Sequence, residues 1–370
     1  MNLSSDKKIE IANQKGLSAR FLAYESLKDR SLKMLPTDRL WLLAEKYHVP
    51  NRERPFAYDL LSGTIKRRAT LDFFIEKFSR RRTQQIDSAV LDILRLGVYQ
   101  LLFENSVPDF AAVDTSCELA HAIVGKKPVG FVNAVLRNLQ RAMAEQNKSD
   151  MVIISLSSIA DHLKKMEIEF SYPAWLIKRW LGRWDEKTVR EILSAGNFPP
   201  AMTIRPNLLR TTAEKLSVIL AEQGCAVKAA ENGMLELVSH PPISELAAFA
   251  DGLFQVQDGT AGEVVRQMAL TPGMKILDLC AGLGTKTTQM AELSGDQAEI
   301  TASDTILAKF EKLKHNAARL GIKSIRTSTI EELPSGTFDW VLLDVPCSNT
   351  GVFDRRPEAR WRLKENDFAM

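Results

Sequence analysis

The stretch KILDLCAGLGTKTTQ, Lys275–Gln289, gathers residue types that can hold a ligand. Ile276, Leu277 and Leu279 form a short apolar run of strand type that ends at Cys280. A small-residue loop follows, Ala281-Gly282-Leu283-Gly284, and Thr285-Lys286-Thr287-Thr288 then opens a helix. A buried parallel strand feeding a glycine loop and a helix start is the ligand edge of a doubly wound α/β sheet. Glycines let the backbone approach a ligand closely, and the unpaired N–H groups of a first helical turn favour carboxylate or phosphate.

Several chemistries compete for that loop. A phosphate-binding P-loop needs Gly directly before Lys-Ser/Thr, and Thr285 stands before Lys286. The dinucleotide fingerprint needs a third Gly, and Thr287 holds that place. S-adenosyl-L-methionine has no pyrophosphate and needs neither pattern, so this methyl donor ranks first. A turn that merely caps a helix ranks second and a nucleotide third. Downstream, a second strand at Glu299–Ser303 ends in Asp304. An acidic residue at the tip of strand two meets the ribose hydroxyls of a nucleoside cofactor. Its other role is N-cap of the helix that begins near Ile306 and ends at Gly321. A further strand at Phe338–Leu343 closes on Asp344-Val345-Pro346-Cys347. Asp344 would then stand at the ligand edge, available to cofactor or substrate.

The chain around these residues has 370 positions, enough for two or three domains. Its 45% hydrophobic and 26% charged content is that of a soluble globular protein. No apolar run approaches the ~20 residues of a membrane span, and the polar N-terminus lacks a signal-peptide core. The expectation is a cytoplasmic protein with no membrane partner. The four cysteines have no CxxC spacing and the five histidines no HExxH, so no metal site or disulfide framework is expected. Net charge is only +3, although basic residues cluster at Lys66-Arg67-Arg68, Arg80-Arg81-Arg82 and Lys126-Lys127. Any one such run reads first as a solvated face and second as a phosphate-binding patch.

Residues 17–143 read as all helix. Leu91, Leu94, Val98, Leu101 and Leu102 recur at helical spacing, with Pro108 as the stop. Val113, Cys117, Ala120 and Val124 mark the next apolar face, which places Cys117 in packing. Phe131, Val132, Val135, Leu136 and Leu139 mark the last, after the break GKKPVG. Residues 146–169 read as a partly helical linker. Then SYPAWLIKRWLGRWDEKTVREILSAG predicts two helices with Trp175, Trp180 and Trp184 available for packing. AMTIRPN, CAVKAA and MLELVS read as strands and TTAEKLSVILAEQG as an amphipathic helix, a small α+β module over 170–265.

The front segment resembles the NusB-like helical RNA-binding domain in AYDLLSGTIKRRATLDFFI, LRLGVYQLLFENSVPDFAAVDTSCELA and GFVNAVLRNL. Arg205-Pro206-Asn207 and Phe254-Gln255-Val256-Gln257-Asp258 resemble the small RRM-like subdomain of bacterial RNA cytosine-5 methyltransferases. Asp344-Val345-Pro346-Cys347 with SNTGVFDRRPEARW looks like the Asp-Ala-Pro-Cys-Ser-Gly-Thr-Gly motif of the Sun/Fmu (RsmB-type) 16S rRNA cytosine-5 methyltransferases. Together these pieces cover nearly the whole chain. The resemblance implies a multidomain protein: an all-α NusB-like bundle at 10–145, a linker at 146–169, a small α+β RRM-like subdomain at 170–265, and a Rossmann-like α/β class I methyltransferase at 266–370, C-terminally incomplete with four candidate strands.

It also implies S-adenosyl-L-methionine as cofactor, with Cys280, Ala281, Gly282, Leu283, Gly284, Thr285, Lys286, Asp304 and Asp344 around it. Ribosomal RNA, of the small subunit, is the implied partner of a monomeric enzyme, with Arg67, Arg68, Arg137, Arg205, Arg355 and Arg356 meeting phosphates. The alternative for the arginines of the helical segment is a solvated face. In the implied chemistry a thiolate adds at carbon 6 of cytosine, carbon 5 takes the methyl, a base removes the carbon-5 proton, and the thiolate leaves. Asp344 is placed beside the base amine and N3. The target base is unstacked to reach such a pocket.

RNA members of the family attack with a cysteine in a downstream Thr-Cys-Ser segment, and the Pro-Cys cysteine releases product. Cys347 is thus assigned to release, the nucleophile is expected beyond Met370, and Cys347 as nucleophile is the lesser option. The chain departs from the family loop Cys-Ala-Ala-Pro-Gly-Gly-Lys, with Gly282, Leu283 and Thr285 in place of Ala, Pro and Gly, which is expected to loosen the turn. The family Asp for the adenine amine falls near Ile330, beside Glu331. Asn349 puts a bulkier side chain where the family has a small one. An RNA-binding protein without catalysis is the second reading, and a small-molecule methyltransferase, which has no use for the helical front, is the third.

Overall fold

The helix Ser88–Phe103 is apolar on nearly every side, so it must be surrounded, and every residue from Val90 to Leu102 is buried. Asp87 starts it, its Oδ1 accepting the N–H groups of Ala89 and Val90 at 2.9 and 3.2 Å. Helices Asp109–Val124 and Val129–Ala144 cross it closely at Gly97, where a Cβ would lie 2.9 Å from Ser116 Oγ and 2.8 Å from Leu136 Cδ1. The helix ends at Phe103, earlier than Pro108 suggested. Pro108 instead caps the following helix, which ends at Gly125 with φ +101°. Helices Ser18–Leu27, Arg54–Lys66 and Arg68–Ser79 add to the same apolar core. Cys117 packs at its margin.

The computed structural model describes residues 3–28, 34–144 and 148–368. Contacts divide these into two units. One holds the described residues up to Pro199 and those from Ser348 onward; the other is Pro200–Cys347. This division is coarser than the four segments read from sequence. Within the stretch read as a partly helical linker lie two helices, Lys148–Ser157 and His162–Phe170. Helices Ala174–Leu181 and Glu186–Ala195 form where predicted. They share an apolar cluster with Met166 and Tyr172 and with Phe353 and Ala359 from the C-terminal stretch, which is why both join the helical unit. Trp180 lies in that cluster and Trp175 packs against it, whereas Trp184 is exposed.

The second unit contains two sheets. Strands β1 (Met202–Pro206), β2 (Ala226–Ala229), β3 (Leu235–Ser239) and β4 (Phe254–Val256) form an antiparallel sheet in the order β2-β3-β1-β4. Helix Ala213–Glu222, capped by Thr212, covers it through Leu216 and Leu220. Strands β5 (Lys275–Asp278), β6 (Glu299–Ala302), β7 (Ile325–Thr327) and β8 (Trp340–Leu342) form a parallel sheet in the order β7-β6-β5-β8. Ile276, Ile300 and Leu342 pack against Val265, Met290, Ala317 and Leu320 from helices Gly259–Arg266, Thr285–Leu293 and Ala308–Leu320. The strand order runs outward from β5 in both directions, so the carboxyl ends of β5, β6 and β8 surround a switch point, where doubly wound sheets bind ligands. No helix among the described residues is long and apolar enough to cross a membrane.

Candidate active site

β5 ends in Asp278, which is buried, 1% exposed, just before the loop. Thr287 Oγ1, from the first turn of the following helix, donates to Asp278 Oδ2 at 2.7 Å. Asp278 Oδ1 has no hydrogen-bond partner among the described residues. Burial pushes this carboxyl up to about 6; the Thr287 hydroxyl, the Cys280 N–H and Lys286 pull it down, and Asp344 pushes it further up. A buried acceptor without a donor costs about 1–3 kcal/mol and marks a place where something else completes the bond.

The turn beyond Asp278 is held open by backbone bonds. Ala281 N–H donates to Ser303 O and Gly284 N–H to Ala281 O, both at 2.9 Å. Gly284 has φ +84°, and a Cβ there would sit 2.7 Å from Leu313 Cγ, so both conformation and packing require glycine. Gly282, at φ +58°, is different: its nearest neighbour would be 4.0 Å from an added Cβ, so backbone is presented to open space. Leu283, between them, is exposed. The helix Thr285–Leu293 begins with its N–H groups at this turn.

Asp304 closes the other side and is 6% exposed. Its Oδ2 accepts Gly282 N–H at 3.0 Å and its Oδ1 accepts Ile306 N–H at 2.9 Å. Lys309 Nζ reaches both oxygens at 3.0 and 3.1 Å. Burial alone would raise this carboxyl, but the Ile306 N–H, Lys309 and Gly282 N–H more than offset it and hold it below the usual range. Asp304 thus receives an N–H just ahead of the helix and also braces the glycine turn. The helix itself begins at Ala308.

Asp344 follows β8, and Lys286 Nζ hydrogen-bonds its Oδ2. Cys280 lies among these groups: burial raises its thiol pKa, and Asp278, Asp304 and Asp344 raise it further. All three carboxylates thus act on one point, while a thiol in that field is held away from the thiolate. Cys347 is exposed. A cavity of about 790 Å³ elsewhere in this unit, lined by Lys275, Glu299, Thr301, Arg326 and Phe338, does not include the glycine turn. Asn349 adopts φ +60°, a left-handed conformation that Asn tolerates better than most side chains.

The expected phosphate contacts divide sharply. Arg205 is corrected: it is buried, 3% exposed, and cannot meet RNA. Its Nε and Nη2 donate to the two Glu292 carboxylate oxygens at 2.9 and 2.7 Å, and Nη1 donates to Thr285 O at 3.1 Å. Nη1 also donates to Gln257 Oε1, and Gln257 passes a bond to Gln289 Oε1 at 2.6 Å. Asn207 Nδ2 bonds Gly252 O and Leu320 O at 2.8 and 2.9 Å. The Arg205-Pro206-Asn207 segment is therefore a brace that fixes the glycine-turn helix and the helix after β6. In the helical unit, Arg67 is half-buried over the Phe103 ring at 4.8 Å, and burial lowers its pKa. Arg137 donates to Asp114 at 2.8 Å and to Gln140 at 3.0 Å. Arg68, Arg355 and Arg356 are exposed.

Asp278 escaped the sequence reading although a trace of it was present: a lone acid inside an apolar strand, just before a glycine turn. Glu292 gave no such trace, because its position on a helix looks solvated until the Arg205 contact is known.

Comparison with known proteins follows the same three parts. A NusB family model matches residues 17–141, a ferredoxin-like domain model of RsmF/B-like methyltransferases matches 172–239, and a model described as 16S rRNA methyltransferase RsmB/F matches 265–370. The probable ribosomal RNA small subunit methyltransferase B of Synechocystis is 33% identical over 94% of this chain and 78% of its own length. Ribosomal RNA small subunit methyltransferase B of Klebsiella pneumoniae is 30% identical over 87% of this chain and 72% of its own. The crystal structure of PH0851 covers 100% of this chain and 80% of its own with a TM-score of 0.71 at 21% identity, a likeness of fold.

Proposed function

The chain belongs to the RsmB/F family of 16S rRNA methyltransferases, and from that premise we propose that its glycine turn, Asp278 and Asp304 form the seat of the methyl donor. The reaction is S-adenosyl-L-methionine-dependent methylation of ribosomal RNA, at carbon 5 of cytosine as the family implies. The residues present fit the cofactor. Asp278 Oδ1 is a buried acceptor awaiting a donor, Gly282 offers uncrowded backbone, and Asp304 is kept ionised at the tip of the second strand, where a ribose hydroxyl would compete with Lys309 for it.

When bound, S-adenosyl-L-methionine supplies an electrophilic methyl group on a sulfonium. This chain's residues set the stage for its transfer. Asp304 fixes the turn through Gly282 N–H. The Arg205–Glu292 pair holds the turn's helix in place from behind. Asp344, half-exposed and held by Lys286, is a carboxylate available to the amine and protonated N3 of a cytosine. Cys280 is unsuited to attack because its thiol is pushed up. Exposed Cys347 takes the product-release role that the family motif suggests, with attack on carbon 6 as its alternative. The helical front binds RNA, and the exposure of Arg68, Arg355 and Arg356 supports these arginines as its phosphate contacts.

The observation that carries this reading is the unsatisfied Asp278 oxygen beneath the glycine turn. Titration calorimetry of the full chain with S-adenosyl-L-methionine is expected to show saturable binding that Asp278→Asn weakens at least tenfold, the loss of one charge-assisted bond of roughly 1.5–3 kcal/mol. Absence of binding, or an unchanged affinity in that variant, would overturn the assignment.

A further inference from the structure

The helical unit contains a largely apolar pocket with a few buried polar groups that methyl transfer leaves without a task. A cavity of about 340 Å³, within the range of small-molecule sites, is lined by helix Arg54–Lys66, by the segment around helix Ala359–Arg362, and by Leu27 and Pro36. Glu358 lines it, 7% exposed, and neither of its carboxylate oxygens has a hydrogen-bond partner among the described residues. Thr64 lines it too, 1% exposed, and its hydroxyl is likewise unpartnered. Buried acceptors left this way are costly, and two of them side by side on one carboxylate are rarer still. Burial pushes the Glu358 carboxyl up, and its own main-chain N–H, Arg356 and Arg362 draw it part of the way back.

The walls and mouth narrow the ligand's chemistry. The Trp361 indole is fixed by its N–H bond to Ile65 O at 2.8 Å and carries Arg68 over its ring at 5.4 Å. Exposed Arg362 and Lys364 stand at the mouth. Asp92 and Arg95, also in the lining, are paired with each other at 2.9 Å, which leaves Glu358 to set the interior: a simple cation would suit that carboxylate but be repelled by the mouth, and a simple anion would suit the mouth but not the carboxylate. A molecule with adjacent N–H donors on a flat ring and a phosphate beyond it satisfies both ends. Among the four RNA bases, guanine places two donors, N1–H and N2–H, side by side without an acceptor between them. That edge matches a carboxylate in a bidentate bond, the strong geometry for such pairs.

We propose that this pocket binds a guanine nucleotide, with Glu358 accepting N1–H and N2–H and with Arg362 and Lys364 meeting phosphate. RNA recognition commonly takes an unstacked base this way, by its edge and its face. The pocket's residues all belong to the helical unit and none to the glycine turn, so its success or failure is read without the methyl donor.

The test uses the full chain and two probes: guanosine monophosphate in equilibrium dialysis, and a uridine oligonucleotide carrying one guanine in fluorescence anisotropy. Adenosine monophosphate and the adenine-bearing oligonucleotide are the controls. Guanine is expected to be preferred over adenine by roughly tenfold or more, and Glu358→Gln, which keeps shape but offers only one acceptor, should erase the preference. Lys364→Gln, at an exposed position, should weaken both guanine and adenine probes alike. A preference seen only with the oligonucleotide assigns the ligand to RNA; one seen with guanosine monophosphate alone assigns a free nucleotide. Equal binding of the two bases, no binding of either probe, or a preference that survives Glu358→Gln overturns the proposal.

Discussion

Arg205 and Arg360 are both buried guanidiniums, one in each unit, and their surroundings neutralise them in different ways. Arg205 faces a carboxylate, Glu292, in a two-pronged bond. Arg360 faces carbonyls and rings: it donates to Asn197 Oδ1 at 2.8 Å, Gly196 O at 2.6 Å and Lys66 O at 3.2 Å, and its guanidinium lies 3.8 Å from the Tyr172 ring centroid. Burial lowers the Arg360 pKa to about 10. The contrast shows that an arginine in a protein that acts on RNA is not thereby an RNA contact. Where a buried acid waits for it, as at 205, it is a brace for the glycine turn; where carbonyls converge, as at 360, it is a peg joining helices.

Replacing each arginine by methionine measures the difference. Arg205→Met leaves Glu292 buried without its partner and is expected to cost about 3–5 kcal/mol in urea unfolding of its unit. Adding Glu292→Leu should recover most of that loss, because the stranded charge goes with it. Arg360→Met strands only neutral carbonyls and should cost about 2–3 kcal/mol. Were it to cost as much as Arg205→Met, the stranded carboxylate would no longer explain the larger value.

A third substitution moves the comparison to Asp278, a buried acid with no arginine. Its pKa is about 6 in the folded chain against 3.8 for the ordinary group, a difference of about 2 units. The folded state therefore binds the extra proton across that interval, and stability falls as pH rises from about 4 to 6 and stays lower above it. That linkage corresponds to about 3 kcal/mol at neutral pH, an upper figure. Asp278→Asn removes the charge but keeps an unsatisfied polar group, so a gain of about 1–2 kcal/mol at pH 7 is expected, together with a flat pH profile between 4 and 6. Guanidinium unfolding at a series of pH values reads both. A destabilised variant with an unchanged slope would place the acid's role elsewhere.

These residues also show what a sequence makes legible. The strand–turn–helix at 275–293 was readable because glycine, small residues and an apolar run are local signals. The helical front was readable from the spacing of Leu91, Leu94, Val98, Leu101 and Leu102, all of which the central helix buries. Arg205 was not, because its partner lies 87 positions away and only the folded chain brings them together. For the same reason the stretch 348–368, contiguous with the α/β motif in sequence, could not be seen to pack its Phe353 and Ala359 with Tyr172 and Trp180. Asp304 sits between these cases: its position at a strand tip was legible, but its bond to Gly282 N–H was not.

The smallest effect is expected at Lys286, and it separates an exposed ion pair from the buried one at Arg205. The Asp344 side chain is 56% exposed, so its bond to Lys286 is worth at most about 1 kcal/mol, and Lys286→Met should shift the unfolding midpoint little. Its electrostatic reach is more telling. Lys286 draws the Asp278 carboxyl down and Asp344 pushes it up. Removing the lysine should therefore move the pH-dependent fall in stability to higher pH, and Asp344→Asn should move it to lower pH. If both substitutions left that midpoint in place, the carboxylates would not share one electrostatic environment, and the glycine turn would lose its claim to be their common centre.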